Sequence, residues 1–164
     1  MNKIDAAPRR LSPELIQRFA AIVGERYAVT DPNDLAPYLT EERMLYRGQS
    51  QLVLRPGSTA EVAGICKLAN ETGTPLVPQG GNTGLVGGQT PHHGEVVVSL
   101  RRMDRVRDLD AKSNTMTCES GMVLQNAQKV ANDADRLFPL SLGAEGSCTI
   151  GGNLATNAGG NTRL

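Results

Sequence analysis

The segment PQGGNTGLVGGQTP, residues 78–91, has five glycines in fourteen positions and lies between two stretches that are typical of β-strands. PLV precedes the glycines and EVVVSL (95–100) follows them. Glycine is unfavourable inside a helix or strand, and this segment has no apolar period that would bury it. It therefore indicates a loop in which residues free to adopt positive φ turn several N–H groups toward one point, a nest that binds an anion.

The residues before this loop predict a βαβ unit. QLVLRP (51–56) is typical of a buried strand, Ser58 and Glu61 form a capping box, and Gly73 is a helix stop. PLVPQ (75–79) is then a second strand, parallel to the first and paired with it.

The rest of the chain predicts a second, mixed or antiparallel sheet lobe, so the expected class is α/β (α+β) with a parallel βαβ lobe first. Local patterns also place the start of a helix at Ser12-Pro13. The further predicted elements are a helix over 34–40, an antiparallel pair from RVRDLD (105–110) and TMTCES (115–120) turning at 112–114, a helix over 122–136, and a strand at LFPLS (137–141).

The composition excludes several classes of function. Seventeen Lys and Arg balance seventeen Asp and Glu, so no overall field attracts nucleic acid. No stretch of about 18 apolar residues could span a bilayer, and the N-terminus has no apolar signal-peptide core. Three cysteines without a CxxC pair indicate a reducing compartment. We expect a cytoplasmic protein, with a peripheral location on a membrane as the alternative.

A second glycine-rich segment, GAEGSCTIGGNLATNAGG (143–160), lies near the end of the chain. Its small polar residues, like Asn82 and Thr83 in the first loop, offer hydrogen bonds without charge. Neither segment is a Rossmann or P-loop motif, and each alone is compatible with ordinary turns. Together they indicate two walls around one extended ligand with a charged portion, such as a dinucleotide.

VPQGGNTGLVGG (77–88) and PLSLGAEGSCTIGGNLATNAGG (139–160) together resemble the paired flavin-binding segments of FAD-linked oxidases of the vanillyl-alcohol oxidase or p-cresol methylhydroxylase (PCMH) type. Among these enzymes the chain is similar to D-2-hydroxyacid dehydrogenases that act on D-lactate, glycolate or D-2-hydroxyglutarate. The resemblance implies a PCMH-type FAD-binding domain over residues 51–164, incomplete at its C-terminus, after an N-terminal helical segment, residues 1–50.

The resemblance also implies which residues bind the cofactor. In that family the first segment wraps the FAD pyrophosphate, which places it here on Gly80, Gly81, Asn82, Thr83, Gly84, Leu85, Gly88 and Gln89. The second segment lines the flavin and ribityl side, which implies Pro139, Gly143, Gly146, Ser147, Gly151, Gly152, Asn153 and Asn157. Relatives with covalent FAD often carry histidine where this chain has Asn82, so the resemblance implies non-covalent FAD.

The implied activity is oxidation of a D-2-hydroxyacid to the 2-oxoacid by hydride transfer to FAD. Electrons would pass to a quinone, an electron-transfer flavoprotein or a cytochrome. The family's catalytic residues belong to a later substrate domain, so the chain is expected to be a fragment that is inactive by itself. The alternatives are a non-catalytic nucleotide-binding or interaction module, and an oxidase or ether-lipid synthase of the same superfamily.

Other reactive or charged residues are interpreted as structural. We expect the adjacent pair His92 and His93 to be solvated, with no metal site. The run 101–108 is interpreted as a solvated sheet face or domain contact. Cys66 is expected in the core and Cys148 as a small packing residue rather than a nucleophile. Glu145 either approaches the cofactor or is exposed.

Overall fold

The computed structural model describes residues 10–160, which divide into two compact units. The first unit contains residues 10–79 and 84–99, and the second contains residues 80–83 and 100–160. The division passes through the first glycine loop. Its residues 80–83 belong with the second unit, although the strand that precedes them belongs to the first.

Two helices of the first unit begin at the residues that local patterns predict, whereas the helix predicted over 34–40 begins at Pro32 and ends at Leu39, because Asp31 is its N-cap. Ser12 caps α1 by accepting a hydrogen bond from the Leu15 N–H, and Ser58 Oγ accepts one from the Glu61 N–H at 3.2 Å. The Glu61 carboxylate accepts in turn from the Gly57 N–H at 2.8 Å, which completes the box. The helices are α1 (Pro13–Val23), a 3-10 helix (Glu25–Tyr27), α2 (Pro32–Leu39) and α3 (Thr59–Thr72), and Gly73 ends α3 with φ +61°.

A four-stranded sheet is the centre of the first unit. Its strands are β1 (Ala28–Val29), β2 (Val53–Leu54), β3 (Leu76–Gln79) and β4 (Val96–Ser99), in the spatial order β1-β2-β4-β3. Strands β2, β4 and β3 are parallel, and β1 is antiparallel to β2.

The direct pairing of β2 with β3 that the sequence predicts is wrong, because β4 lies between them. The composition of the strands explains this order. All four residues of β4 are buried, which suits a central strand. Strand β3 contains Pro78, which has no N–H to donate and is best placed at an edge.

The core of the first unit includes Leu35 of α2, Val53 of β2 and Val97 of β4, with the partly buried Val29 and Tyr38 packed against them. Ile65 of α3 is fully buried. The prediction that Cys66 lies in the core is wrong: its side chain is exposed, because it is one position past Ile65 and so about 100° further round the helix.

The second unit contains the predicted antiparallel pair, β5 (Val106–Asp110) with β6 (Thr115–Cys118). The intervening turn is stabilised by Asp110, whose Oδ1 accepts hydrogen bonds from the N–H groups of Lys112 and Ser113. The prediction of this hairpin from local residues is confirmed.

Two predictions for the second unit need correction. Residues 137–141, expected as a strand, have no regular structure, and Leu137 is exposed. The helix expected over 122–136 is shorter, α4 (Leu124–Asp133). A further helix, α5 (Ile150–Ala155), lies inside the second glycine segment. The sequence did not predict this helix, because it contains two glycines and glycine is a poor helix former. Tertiary contacts outweigh that propensity in the folded chain.

Within residues 10–160, no helix is both long and apolar enough to cross a bilayer. The same residues contain no group of three or more His, Cys, Asp or Glu side chains placed to bind a metal ion.

Candidate cofactor-binding site

The two glycine-rich segments lie against each other in the second unit. A Cβ atom at Gly80 would overlap the hydroxyl oxygen of Thr149, and one at Gly81 would overlap the carbonyl oxygen of Ser147. The backbone of residues 80–81 therefore lies so close to the Ser147 backbone and the Thr149 side chain that no side chain fits at Gly80 or Gly81. The structure brings into contact the two segments that the sequence analysis interprets as two walls around one ligand.

The backbone conformation of the first loop differs from the expected one. Of residues 80–84, Asn82 is the one with positive φ, at 59°, and none of the three glycines adopts it. Gly80 and Gly81 are required by the contacts with Ser147 and Thr149 rather than by left-handed backbone. The expectation that consecutive residues of this loop use positive φ is therefore wrong, because close packing determines where the glycines are needed.

The first loop nevertheless presents hydrogen-bond donors. Among the described residues, the N–H groups of Gly81 and Thr83 have no acceptor. The Arg101 guanidinium donates to the Gly81 carbonyl oxygen at 3.2 Å, which places a positive charge beside the loop. Backbone N–H donors with a nearby cation suit a phosphate or pyrophosphate group.

Sequence patterns do not indicate Arg101 as a candidate, because they favour a solvated sheet face or domain contact for the run 101–108. Arg101 lies two residues after the end of β4, in a short 3-10 helix, Leu100–Arg102. Its position in the chain could have identified it, because ligands of parallel sheets bind beyond the carboxyl ends of the strands.

The rest of the first loop, residues 84–91, belongs to the first unit. The Gln89 side chain donates from Nε2 to the Gly84 carbonyl oxygen at 2.8 Å, which closes the turn. Leu85 is half exposed, and a Cβ at Gly88 would meet no atom within 4 Å. Gly87, with φ +74°, is the left-handed position of this turn.

The residues predicted in the second segment fall into two groups. Pro139, Gly143, Gly146 and Asn157 are exposed, and a Cβ at Gly143 would meet open space. The other four residues pack against neighbouring residues of the second unit. Gly151 lies against Ser120, Gly152 donates to Thr149 Oγ1 at 3.3 Å, Ser147 lies against Gly81, and the buried Asn153 donates to Cys148 Sγ at 3.6 Å.

Glu145 has a structural role in the second segment. Its carboxylate accepts a hydrogen bond from the Leu142 N–H at 3.1 Å. Hydrogen bonds from the side chains of Ser141 and Gln128, together with the Leu142 N–H, lower the pKa of Glu145. A charged Glu145 thus orders the backbone of residues 142–145.

Glu119 stabilises the turn that contacts the second glycine-rich segment. Its side chain is 1% exposed and forms ion pairs with Arg105 at 3.1 Å and Arg107 at 3.2 Å. Hydrogen bonds from the Arg105 side chain and backbone, followed by that from Arg107, lower the pKa of Glu119 to about 2. The next residue, Ser120, accepts a hydrogen bond from the Gly151 N–H at 2.8 Å.

The remaining candidates behave mostly as expected. His92 and His93 are exposed, and His92 also lies edge-on to Tyr46, with ring centroids 6.2 Å apart. Cys148 is buried, in agreement with a packing role.

The first unit is a parallel α/β unit, and the second combines an antiparallel hairpin and helices with two apposed glycine-rich segments, so the fold belongs to the α/β (α+β) class. The family described as "FAD binding domain" matches residues 50–164, and the chain belongs to it. The expectations of an FAD cofactor and of a PCMH-type α/β fold are confirmed.

Two relatives and one solved structure illustrate the similarity. The probable D-2-hydroxyglutarate dehydrogenase, mitochondrial, of Oryza sativa subsp. indica is 43% identical over 92% of this chain and 27% of its own length. The D-2-hydroxyglutarate–pyruvate transhydrogenase of Saccharomyces cerevisiae is 45% identical over 79% of this chain and 26% of its own length. The chain therefore spans about a quarter of these curated relatives. A structure of alkyldihydroxyacetonephosphate synthase matches with a TM-score of 0.84 and 22% identity, over 97% of this chain and 35% of that one.

The expected cytoplasmic location is contradicted. Several matched relatives, the rice protein among them, are named as mitochondrial enzymes. The composition of the first residues, on which the expectation relied, does not discriminate between these two compartments.

The groups present fit FAD. The N–H donors of Gly81 and Thr83 and the guanidinium of Arg101 suit its pyrophosphate. Open space at Gly143 leaves room for a ligand beside the second segment.

Proposed function

We propose that the chain forms part of the FAD site of a flavin-dependent dehydrogenase that oxidises a D-2-hydroxyacid to the 2-oxoacid. The observation that carries the proposal is the contact of Gly80 and Gly81 with Ser147 and Thr149, because it builds one surface from both segments of the flavin-binding pattern. The names of the rice and yeast relatives support D-2-hydroxyglutarate as the substrate, in preference to glycolate.

In this proposal the first loop binds the pyrophosphate through Gly80, Gly81, Asn82, Thr83, Gly84, Leu85, Gly88 and Gln89, and Arg101 adds positive charge. Pro139, Gly143, Gly146 and Asn157 contact the flavin and ribityl side, and Ser147, Gly151, Gly152 and Asn153 support them from within the segment. Bound FAD supplies the hydride acceptor. We propose non-covalent binding because the Asn82 amide is not a nucleophile that could form a bond to the flavin.

We further propose that residues 51–164 are the FAD-binding part, preceded by the segment 1–50, and that the catalytic residues belong to another part of the protein. Candidate electron acceptors are a quinone, an electron-transfer flavoprotein or a cytochrome. The name of the yeast relative adds a 2-oxoacid as a second kind of acceptor. The similarity to the ether-lipid synthase structure shows the fold alone at 22% identity and does not favour that activity.

The test is a titration of FAD into the purified chain, followed by flavin fluorescence. A control variant should block FAD binding by adding negative charge at the site. Gly81→Glu is unsuitable for this purpose, because any Cβ at Gly81 would disrupt packing against Ser147. Gly143→Glu is better, since its Cβ enters open space and its carboxylate introduces negative charge beside the cofactor. Gly159→Glu carries the same change at another open position that the resemblance does not place at the cofactor.

We expect saturable FAD binding in the wild type and in Gly159→Glu, and much weaker binding in Gly143→Glu. No binding to the wild type would contradict the proposal for this chain. Equal binding by the two variants would remove Gly143 from the proposed site.

A further inference from the structure

Gln79 is an amide side chain at an almost fully buried position. It is the last residue of β3, directly before the first glycine loop, and is 2% exposed. Its Nε2 donates to the Tyr38 carbonyl oxygen at 2.9 Å and to the Gln89 carbonyl oxygen at 3.1 Å. Both hydrogens of one amide nitrogen are thus used, each on a backbone carbonyl of a different segment.

Gln89 continues this chain of hydrogen bonds into the loop. Its Nε2 donates to the Gly84 carbonyl oxygen at 2.8 Å. A Cβ at Gly84 would lie 2.7 Å from Gln89 Oε1, so only glycine fits beside the amide at its present position. The two amide side chains therefore form a connected set of hydrogen bonds. Gln79 binds the backbone at the end of the turn 84–89, and Gln89 links that end to Gly84 at its start.

The segment 38–49 holds the same turn by further contacts. The Arg43 guanidinium donates to the Leu85 carbonyl oxygen, and the Gln49 N–H donates to the Pro91 carbonyl oxygen at 2.7 Å. The Tyr46 ring lies so close to Gly87 that a Cβ there would be 2.7 Å from Tyr46 Cγ. Gln79 therefore lies where β3, the end of α2 and the loop 84–91 are joined.

We propose that Gln79 is a positioning residue for the FAD-binding turn 84–89, an inference that rests on the proposed function. Gln79 acts through the Gln89 backbone and the turn that Gln89 closes. A neutral side chain with two N–H groups on one nitrogen can donate to both of these backbone carbonyls at once. Without it, the turn is less ordered before FAD binds, and the cost of ordering it on binding reduces the affinity.

The test compares Gln79→Met with Gln51→Met. Gln51 is an exposed control in the same unit, and its side chain also makes a hydrogen bond to the backbone, accepting from the Leu11 N–H at 2.7 Å. Two quantities are measured: hydrogen exchange of the amides of residues 84–90 without FAD, and the Kd for FAD from flavin fluorescence. Gln79→Asn, which keeps the amide but is shorter, replaces Gln79→Met if circular dichroism shows that the latter is unfolded.

In the Gln79 variant we expect about tenfold faster exchange over residues 84–90 and a Kd for FAD raised by a similar factor, with both unchanged in Gln51→Met. Unchanged exchange in a folded Gln79 variant would overturn the inference, and so would faster exchange with an unchanged Kd. If the wild type binds no FAD, the proposed function fails, whereas the exchange data still decide whether Gln79 orders the turn.

Discussion

No side chain fits between Gly81 and Ser147, because a Cβ at Gly81 would overlap the Ser147 carbonyl oxygen. The two residues are 66 positions apart in the chain and belong to the two segments that carry the flavin-binding pattern. Their contact therefore links the integrity of the second unit to the geometry of the candidate site.

The first prediction is that Gly81→Ala lowers the free energy of unfolding by about 1–3 kcal/mol, since the methyl group forces two backbone segments apart. Urea denaturation followed by circular dichroism measures the change. Gly143→Ala is the matched control. Its Cβ meets open space, so its effect should stay within about 0.5 kcal/mol. Equal effects of the two substitutions would show that the contact at Gly81 is not a constraint in solution.

The second prediction concerns the acid stability provided by Glu119. Its pKa is about 2 in the folded chain, below the ordinary value of 4.5, because Arg105 and then Arg107 donate hydrogen bonds to its carboxylate. A lowered pKa stabilises the fold above pH 4.5, and this contribution is lost as the pH falls toward about 2. Glu119→Gln should therefore be less stable than wild type at pH 7, and the difference should shrink below pH 4.5.

Thermal melts of both proteins at pH 7, 5, 4 and 3 measure this difference. Asp110→Asn serves as a comparison. The pKa of Asp110 is also lowered, chiefly by Ser113, but Asp110 lies in an exposed turn. A constant gap between wild type and Glu119→Gln across the series would mean that the ion pairs with Arg105 and Arg107 do not set the pKa.

The third prediction is that Asp135→Gly raises the free energy of unfolding by about 0.5–1 kcal/mol. Asp135 follows α4 with φ 56°, a left-handed conformation at a helix end, where glycine is preferred. Lys129→Gly, inside α4, should lower the stability by about 1 kcal/mol. The same sign for both glycine substitutions in urea denaturation would contradict the conformational argument.

The fourth prediction tests the charge beside the glycine loop. Arg101→Met should weaken FAD binding several-fold and reduce its dependence on salt, because it removes a cation near the proposed pyrophosphate position. Titrations at low and high ionic strength measure both effects. Arg18→Met removes another exposed arginine, which pairs with Glu71 at 3.8 Å in the first unit. Comparable losses in the two variants would show a general charge effect rather than a local one.

Local residue patterns predicted the elements whose signals lie within a few positions. Ser58, Glu61 and Gly73 define the ends of α3, and the turn after Asp110 defines the hairpin of β5 and β6. The order of the strands could not be predicted in the same way. Whether β4 lies between β2 and β3 depends on which strand is best buried on both faces, a property of the whole sheet.

The sequence by itself determined the membership of the chain in the FAD-binding family and the two glycine-rich segments that carry it, because those residues are adjacent in the chain. Only the tertiary structure decided how the glycines are used. Gly81 accommodates Ser147, Gly84 accommodates the Gln89 amide, and Asn82 adopts the left-handed backbone. The role of Gln79 likewise depends on Tyr38, 41 positions away. Contacts between distant residues depend on the path of the chain, which local propensity and spacing do not encode.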